Sequence, residues 1–410
     1  MINTLDDLDA TGAVVGVRVD VNSPVDGATL VDDSRLRAHV GTLDTLLDRG
    51  ARVAVLAHQG RPGGDDFTTL EAHADRFDEL LSHPVDYVDE THGESARRAV
   101  ANLDDGECVF LENTRFYSEE YMEFDPERAA KTHLVTRLAP VFDGYVNDAF
   151  AAAHRSQPSL VGFPKVLPSY AGHVMEREID ALGDIEETVR PRTYVLGGAK
   201  VSGAVDVAET VLEDELADHV LTTGVVGNVF LSASGVNLGD ASAEFIHEQG
   251  YWDEIDRAGD LLDRFGDRIE YPYDVAVERD GRRTELAVDA LPTDDELAMD
   301  IGSETVDAYA SIFEDSRTVI LNGPAGVFEE SSFEFGTREL FSAATAVETS
   351  IVGGGDTASA LRHLEVNGFT HVSTGGGAAL SMLTGESLPA VDALDNATEP
   401  PASNRTGDRN

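Results

Sequence analysis

Lysine is the scarcest charged residue of this sequence, which contains only Lys131, Lys165 and Lys200. Basic residues total 30 against 77 acidic ones, giving a formal net charge of -47. Nucleic acids and anionic membrane surfaces would repel such a chain, so we predict neither as a partner. So acidic a composition with so little lysine indicates adaptation to concentrated salt, where counter-ions screen charges over about 3 Å instead of about 10 Å.

Cysteine and long apolar runs are also nearly missing. Cys108 is the single cysteine, which excludes an internal disulfide framework and favours a cytoplasmic protein. The acidic N-terminal stretch MINTLDDLDATG is unlike a secretory signal. No apolar run approaches the roughly 20 residues that a membrane-spanning helix needs. The sequence therefore predicts a soluble cytoplasmic protein.

What the 410 residues do contain is an alternation of strand-like and helix-like segments. Strands are predicted within residues 13–22, 52–60, 108–116, 144–150, 193–200, 219–227, 318–326, 350–357 and 371–378. Such runs, apolar throughout and separated by helices, indicate parallel strands covered on both faces. Residues 271–291 predict a hairpin with Asp-Gly at its turn, and the tail after Pro389 shows no periodicity.

The segment between the two groups of strands predicts a long helix. It begins after Pro168, carries apolar residues at roughly helical spacing and ends before Pro191. We therefore predict two α/β domains, residues 1–168 and 191–388, linked by a helix over residues 169–190.

Cationic and polar side chains collect at the strand ends of the first domain. The set comprises Asp20, Asn22, Arg35, His58, Arg61, Arg115 and Arg155. Ligands of parallel α/β sheets bind at the carboxyl ends of the strands, so we expect these side chains to share one site. Because guanidinium groups bind phosphate and carboxylate bidentately, the set predicts a small, doubly anionic ligand. Structural salt bridges are the alternative for any single arginine.

Glycine takes the place of cations at the strand ends of the second domain. The segments GGAK, NGPAGVFE, VGGGDT and STGGGA each join a predicted strand to a predicted helix start. Glycine lets backbone N–H groups approach an anion, and a helix N-terminus favours negative charge, so we predict a phosphate cradle. Tight turns that need glycine only for their geometry are the alternative. No GxxxxGK[ST] loop is present, and no GxGxxG opens the first βα unit, so neither a P-loop protein nor a dinucleotide dehydrogenase is indicated.

Three side chains among these segments carry specific expectations. Asp356 is the carboxylate among the glycines, and Mg²⁺ is usually held by one or two carboxylates together with ligand phosphates. Glu329 could accept hydrogen bonds from ribose hydroxyls, or could instead cap a helix. Lys200 is expected to place its ammonium group beside a phosphate that is transferred.

The sequence resembles phosphoglycerate kinase over nearly its whole length. The matching stretches, in order, are VRVDVNSPV, AHQGRP, LENTRF, DAFAAAHR, LGGAKVS, LAMDIGSET, LNGPAGVFE, VGGGDTA and STGGGAAL. The resemblance implies a monomer of two Rossmann-like parallel-sheet α/β domains, joined by the long helix and facing a cleft. It also implies a tail, at about residues 389–400, that packs on the first domain.

The resemblance assigns residues to ligands. For 3-phosphoglycerate it implies Asp20, Asn22, Arg35, His58, Gln59, Gly60, Arg61, Arg115 and Arg155. For the nucleotide it implies Lys200, Gly224, Asn322, Glu329, Gly354, Gly355, Asp356 and Thr357, with Mg²⁺ on Asp356. For catalysis we expect Arg35 and Lys200 to act on the transferring group, beside Gly353, Gly375, Gly376 and Gly377.

Three positions depart from the family pattern. Ala204 stands where a second lysine is common, Gln157 where a histidine often follows AHR, and the SHLGRP stretch appears as AHQGRP. The expected reaction is reversible transfer of the acyl phosphate of 1,3-bisphosphoglycerate to ADP. The alternatives are another carboxylate kinase and a catalytically silent metabolite-binding homologue.

Overall fold

The computed structural model describes residues 2–26, 29–183, 188–291 and 296–398. The chain divides into two compact units, residues 1–181 with 387–410 and residues 182–386. Within the described ranges, no helix is long and apolar enough to cross a lipid bilayer.

The first unit is built on a parallel sheet whose strand order is β5-β6-β4-β1-β7-β8. Its strands, with those of a short antiparallel hairpin (β2 and β3), are β1 (Val14–Arg18), β2 (Val25–Asp26), β3 (Thr29–Leu30), β4 (Arg52–Leu56), β5 (Val85–Val88), β6 (Cys108–Leu111), β7 (Gly144–Asn147) and β8 (Ser169–Ala171). Strands β1, β4, β6 and β7 are almost wholly buried, as parallel strands covered on both faces should be.

Helices cover both faces of this sheet. They are α1 (Ser34–Asp48), α2 (Glu71–Leu80), α3 (Glu94–Ala101), α4 (Pro126–Ala129), α5 (His133–Leu138), α6 (Pro158–Val161) and α7 (His173–Leu182). Val53 and Val55 pack on the face that α1 and α2 cover, whereas Ala54 and Leu56 pack on the face that α3 and α5 cover. Successive side chains of a strand point to opposite faces, so a strand with two covered faces has to be apolar throughout.

The second unit repeats this architecture with a parallel sheet in the order β11-β10-β9-β15-β16-β17. Its strands are β9 (Arg192–Leu196), β10 (His219–Thr222), β11 (Ile269–Glu270), β15 (Thr318–Asn322), β16 (Thr349–Gly353) and β17 (His371–Val372). Counted along the chain, this order is that of the Rossmann fold. The first unit differs, because β6 lies between β5 and β4.

The second sheet is flanked by helices and by a small antiparallel sheet. The helices are α8 (Val201–Glu213), α9 (Gly224–Ala233), α10 (Asp240–Glu248), α11 (Trp252–Phe265), α12 (Ser303–Asp315), α13 (Phe335–Ala344), α14 (Gly355–Leu364) and α15 (Gly377–Leu383). The antiparallel sheet contains the predicted hairpin, β12 (Asp274–Arg279) and β13 (Arg282–Ala287), together with β14 (Asp300–Ile301). At its turn Asp280 and Gly281 both have positive φ, which this tight hairpin connection requires. The hairpin prediction is confirmed.

The predicted helix over residues 169–190 is wrong at both ends. Residues 169–171 are strand β8, paired with β7, and the helix begins only at His173. Its start is fixed by Asp148, because one carboxylate oxygen accepts the N–H groups of Val174 (2.8 Å) and Met175 (3.3 Å). The helix ends at Leu182, residues 184–187 lie outside the described ranges, and residues 188–190 are not helical.

The tail after the second unit returns to the first unit as α16 (Pro389–Asp395). The N–H of Ala390 donates to the carbonyl of Ala153 (3.1 Å), and that of Thr398 donates to Pro164 (2.9 Å). Ala390, Ala393 and Leu394 are buried at helical spacing, so the view that the tail has no periodicity was wrong. The second unit is thus an insertion between two parts of the first.

Candidate active site

The basic side chains at the strand ends of the first unit converge on one place. Burial and the positive charges around it hold the pKa of His58 well below its ordinary value. Those charges belong to Arg18, Arg115, Arg155 and Arg35. Burial, with neighbouring Arg155 and Arg18, lowers the pKa of Arg115 to about 10. A cluster that disfavours its own positive charges in this way is stabilised by an anion.

Backbone and amide groups hold the turn that follows β4 within this cluster. The N–H of Gly60 donates to Oδ1 of Asn22 (2.8 Å), and Nη1 of Arg115 donates to the carbonyl of Gly60 (2.7 Å). Asn113 bonds both sides of residue 59, since Nδ2 donates to the Gln59 carbonyl (2.8 Å) and Oδ1 accepts the Gln59 N–H (3.2 Å). Asn113 was not predicted, although it lies in the LENTRF stretch.

The side chain of Gln59 faces the protein interior. It is fully buried, and its Nε2 donates to the carbonyls of Ser23 (2.8 Å) and Asp66 (3.1 Å). Its Oε1 accepts the N–H of Ser23 (3.0 Å) and lies 3.2 Å from Nε2 of His73. The side chain of Gln59 therefore organises the loops around the site, and its backbone N–H and carbonyl are themselves bonded to Asn113.

Asp20 and Arg35 form an ion pair next to this turn. Asp20 follows β1 and is nearly buried, whereas Arg35 lies in the first turn of α1 with its side chain 42% exposed. Arg61 is exposed, yet its charge contributes to lowering the pKa of Arg155, so it lies close to the cluster. Arg35 and Arg61 therefore provide the solvent-accessible positive groups of the site.

The second unit contains an apolar cavity of about 370 Å³ at the carboxyl ends of β9 and β15. Gly198 and Pro324, which follow these strands, line it, and the strand order of the sheet reverses between β9 and β15. Ligands of Rossmann-like sheets bind at this reversal. Its walls and rim include Gly224, Asn228, Phe245, Met299, Val327, Phe328, Glu329 and Asp356. The volume and lining suit a flat, largely apolar ring.

Lys200 and Asp356 meet at the rim of this cavity. The Nζ of Lys200 lies 2.8 Å from Oδ2 of Asp356, and the two side chains are 83% and 63% exposed. Lys200 directly precedes α8, and Asp356 lies in the first turn of α14. Because an exposed ion pair contributes about 0–1 kcal/mol, an anion or a cation can separate the two groups.

The glycines of GGAK and NGPAG allow these two chain segments to pass in close contact. Gly323 has a φ of +94°, and a Cβ placed on it would lie 2.1 Å from the carbonyl oxygen of Gly197. The N–H of Gly198 donates to the carbonyl of Pro324 (2.8 Å). At these two segments the explanation by turn geometry therefore holds.

Threonine hydroxyls accept hydrogen bonds from backbone N–H groups of the NGPAG segment. Oγ1 of Thr357 accepts from Gly323 (2.7 Å), while Oγ1 of Thr337 accepts from Ala325 (3.0 Å) and Gly326 (3.2 Å). These N–H groups are not free to bind phosphate, so the cradle prediction is wrong for NGPAG. Thr337, which no motif indicated, fixes the loop that lines the cavity.

The other two glycine segments lead directly into helices. Gly353 ends β16, Gly354 has a φ of +89° and Gly355 begins α14, while Gly375 and Gly376 precede α15, which begins at Gly377. Asn322 lies beside this turn, since a Cβ on Gly354 would come within 2.7 Å of its Oδ1. The first turn of α14 therefore presents N–H groups next to Asp356.

Each unit has features that can bind an anionic ligand. The first unit carries the basic cluster, and the second carries the apolar cavity with a lysine and a helix N-terminus at its rim. Such a chain has the chemistry of a phosphotransferase acting on small molecules. A family model described as phosphoglycerate kinase matches residues 5–386. The chain belongs to the phosphoglycerate kinase family.

Individual relatives agree with this assignment. Phosphoglycerate kinase of Halobacterium salinarum is 64% identical over 96% of this chain and 99% of that protein. Phosphoglycerate kinase of Natronomonas pharaonis is 61% identical over 96% of this chain and all of that protein (100%). The crystal structure of phosphoglycerate kinase from Pyrococcus horikoshii superposes with a TM-score of 0.90 at 41% identity, covering 96% of this chain and 99% of that chain. Sequence similarity and structural similarity therefore both support the phosphoglycerate kinase function and the two-unit α/β fold.

Proposed function

We propose that this enzyme transfers the acyl phosphate of 1,3-bisphosphoglycerate to ADP, reversibly, giving ATP and 3-phosphoglycerate in glycolysis and gluconeogenesis. The observation that carries the proposal is the exposed Lys200–Asp356 pair at the rim of an apolar cavity. A nucleotide base would occupy the cavity, and its phosphates would reach the lysine.

The first unit would hold 3-phosphoglycerate, which has a carboxylate at one end and a phosphate at the other. The basic cluster suits both ends, because guanidinium groups bind either anion with paired hydrogen bonds. Arg115, which is buried, and Arg155, which is partly buried, both have a lowered pKa and would hold the end that does not react. Arg35, more exposed on α1, would act at the reacting end.

The second unit would hold the Mg-nucleotide. Asp356 fits Mg²⁺, because one exposed carboxylate beside a helix N-terminus can share the ion with nucleotide phosphates, which is the coordination that Mg²⁺ prefers. Bound there, Mg²⁺ would neutralise phosphate charge. Glu329, on the cavity wall, would accept hydrogen bonds from ribose hydroxyls. Ala204 is buried in α8, so the family's second lysine has no counterpart at this position.

Catalysis would consist mainly of positioning and charge stabilisation. The transferring group spreads negative charge over three equatorial oxygens, which the ammonium of Lys200 and the guanidinium of Arg35 would stabilise. No general base is needed, because the attacking atom is already an oxyanion. We further propose that the enzyme is a cytoplasmic monomer whose two units approach during the reaction, with α7, the helix that links them along the chain, as the hinge region.

A coupled assay tests the proposal directly. ATP formation from 1,3-bisphosphoglycerate and ADP should be measured in molar KCl with Mg²⁺ present. Turnover of another acyl phosphate, but not of this one, would support a different carboxylate kinase. Binding of 3-phosphoglycerate without turnover would support a silent homologue.

Arg115→Ala is expected to raise KM for 3-phosphoglycerate roughly tenfold or more while leaving kcat nearly unchanged. The reason is that Arg115 would hold the non-reacting end equally in the ground and transition states. Steady-state kinetics with the matched variant Arg128→Ala, an exposed arginine of α4, measures this. Normal binding of 3-phosphoglycerate with weakened binding of ADP would contradict the assignment.

Stability is expected to rise steeply between roughly 0.1 and 2 M KCl, because screening weakens repulsion within a chain of net charge -47. Thermal melting across a KCl series measures this. Sorbitol at matched osmolality is the control for solute exclusion and should raise the melting temperature much less. A melting temperature that stays flat over the KCl series would exclude salt adaptation and leave the reaction untouched.

A further inference from the structure

Arg18 is a buried arginine at the end of β1 that no functional expectation had included. It is 2% exposed, and its Nε donates to Oγ of Ser159 at 3.1 Å. Its Nη1 donates to the carbonyl of Val19, and its Nη2 lies 2.7 Å from Nδ1 of His58. A buried guanidinium is costly, so its partners define what it does.

Glu120 sets the direction of the hydrogen bonds that run from His58 through Arg18 to Ser159. The carboxylate of Glu120, 3% exposed, lies 2.6 Å from Oγ of Ser159 and also accepts the Ser159 N–H at 2.8 Å. A carboxylate only accepts, so the Ser159 hydroxyl gives its proton to Glu120 and its oxygen accepts from Arg18. Arg18 in turn has only N–H donors to offer to His58.

His58 must therefore accept at Nδ1, which leaves its proton on Nε2. Protonating Nδ1 would set an N–H against the N–H of a cation 2.7 Å away. We propose that Arg18 is a positioning residue that fixes His58 as the neutral tautomer with its proton on Nε2, so that His58 offers one donor to an oxygen of 3-phosphoglycerate. The identity of that ligand rests on the proposed function, whereas the tautomer does not.

The charged groups that lower the pKa of His58 come from four different parts of the chain and are all arginines. They are Arg18 of β1, Arg35 of α1, Arg115 of the 3₁₀ helix Thr114–Phe116, and Arg155 after the 3₁₀ helix Phe150–Ala152. Each lowers the pKa of His58, as does burial. The ring is thus expected to stay neutral from about pH 8.5 down to about pH 5.5, below the ordinary histidine pKa.

His39 provides an internal reference of the opposite kind. It is 3% exposed, and its Nδ1 lies 2.7 Å from Oδ2 of Asp148, which can only accept. Its Nε2 lies 3.1 Å from both the backbone nitrogen and the carbonyl oxygen of Asp20, so the carboxylate of Asp148 is the contact that fixes a proton on Nδ1. His39 should therefore carry its proton on Nδ1, whereas His58 should carry it on Nε2.

Nitrogen NMR of the full chain, with ¹⁵N-labelled histidine and in molar KCl, tests the proposal. His58 is assigned with the variant His58→Gln and His39 with His39→Gln. We expect the Nδ1 signal of His58 to report an unprotonated nitrogen throughout that pH range, whereas the Nδ1 signal of His39 should report a protonated nitrogen. A His58 ring that titrates near pH 6.5 in the parent protein, or that carries its proton on Nδ1, would overturn the proposal.

Arg18→Met adds a kinetic readout. KM for 3-phosphoglycerate is expected to rise roughly tenfold to a hundredfold at pH 8, as loss of a charge-assisted interaction implies. In the nitrogen NMR spectrum of this variant, His58 should become a mixture of the two neutral tautomers, because no donor then obliges Nδ1 to accept. A variant whose His58 keeps its proton on Nε2 alone would indicate a merely structural role of Arg18 and contradict the proposal. If NMR shows the expected tautomer but no ATP forms, the proposed function fails and the tautomer stands.

Discussion

Replacing Lys200 by alanine is expected to lower kcat by roughly a hundredfold to a thousandfold, the usual cost of removing one preorganised donor to transition-state charge. The ammonium meets Asp356 at the rim of the cavity and is 83% exposed, so it has no structural duty that its loss would disturb. The affinity for 3-phosphoglycerate should change little, because the basic cluster that would bind it lies in the other unit. Steady-state kinetics in molar KCl, with calorimetry for ligand binding, measures both quantities.

The chain supplies a matched control for this variant. Lys131 is also an exposed lysine, but it lies in the first unit, in the turn between α4 and α5. Lys131→Ala should retain the parent kcat within about twofold, as surface substitutions usually do. A Lys200→Ala enzyme whose kcat stays within about threefold of the parent would show that the ammonium does not act on the transferring group.

Arg35→Ala should also lower kcat by roughly a hundredfold, for the same electrostatic reason. Its guanidinium pairs with Asp20 and remains 42% exposed, which leaves donors free for a reacting phosphoryl group. Asp20 would lose its cation in this variant, so the melting temperature should be measured alongside the kinetics.

Arg37 is the natural control for Arg35. It lies on the same helix and pairs with Asp33 at 2.9 Å, outside the basic cluster. Arg37→Ala should leave both kinetic constants within about twofold of the parent. If Arg35→Ala raises only KM for 3-phosphoglycerate, then Arg35 binds the ground state as Arg115 does, and the proposed division between the arginines fails.

The central strands could be predicted because their burial on two faces leaves a continuous apolar run. The predicted strand at residues 52–60 begins where β4 begins, at Arg52, but β4 ends at Leu56. The remaining residues form the turn that carries His58 and Gly60. Composition does not separate these parts, because the turn is also buried and partly apolar around its polar groups.

Three edge strands of the two parallel sheets, β5, β8 and β11, were missed for a different reason. In β5, Val85–Val88, polar and apolar residues are mixed, and β8 and β11 have only three and two residues. These strands form because they pair with a longer neighbouring strand. The local sequence pattern of a short strand gives no information about that neighbour. The start of α7 was misplaced for a similar reason, because it depends on Asp148, the residue that follows β7.

Residues whose side chains could contact a ligand were easier to predict than the residues that hold those side chains and their loops in place. The rule that parallel strands present ligands at their carboxyl ends brought together Arg35, His58 and Arg115. Asn113 and Thr337 act through backbone N–H and carbonyl groups of distant segments, which residue types do not reveal. Arg18 did leave a signal, since it is a charged residue ending an apolar strand.

The return of α16 to the first unit has a consequence for the order of folding during synthesis. Ala390 and Thr398 hydrogen-bond to Ala153 and Pro164, so the first unit lacks part of its packing until the last segment leaves the ribosome. Translation proceeds at about 5–20 residues per second, so the intervening 182–386 segment takes roughly ten to forty seconds. During that interval the surface that α16 will cover is open, while the second unit emerges as one continuous stretch. The unit made first is thus the one that is completed last, and a nascent chain can finish its second unit before its first.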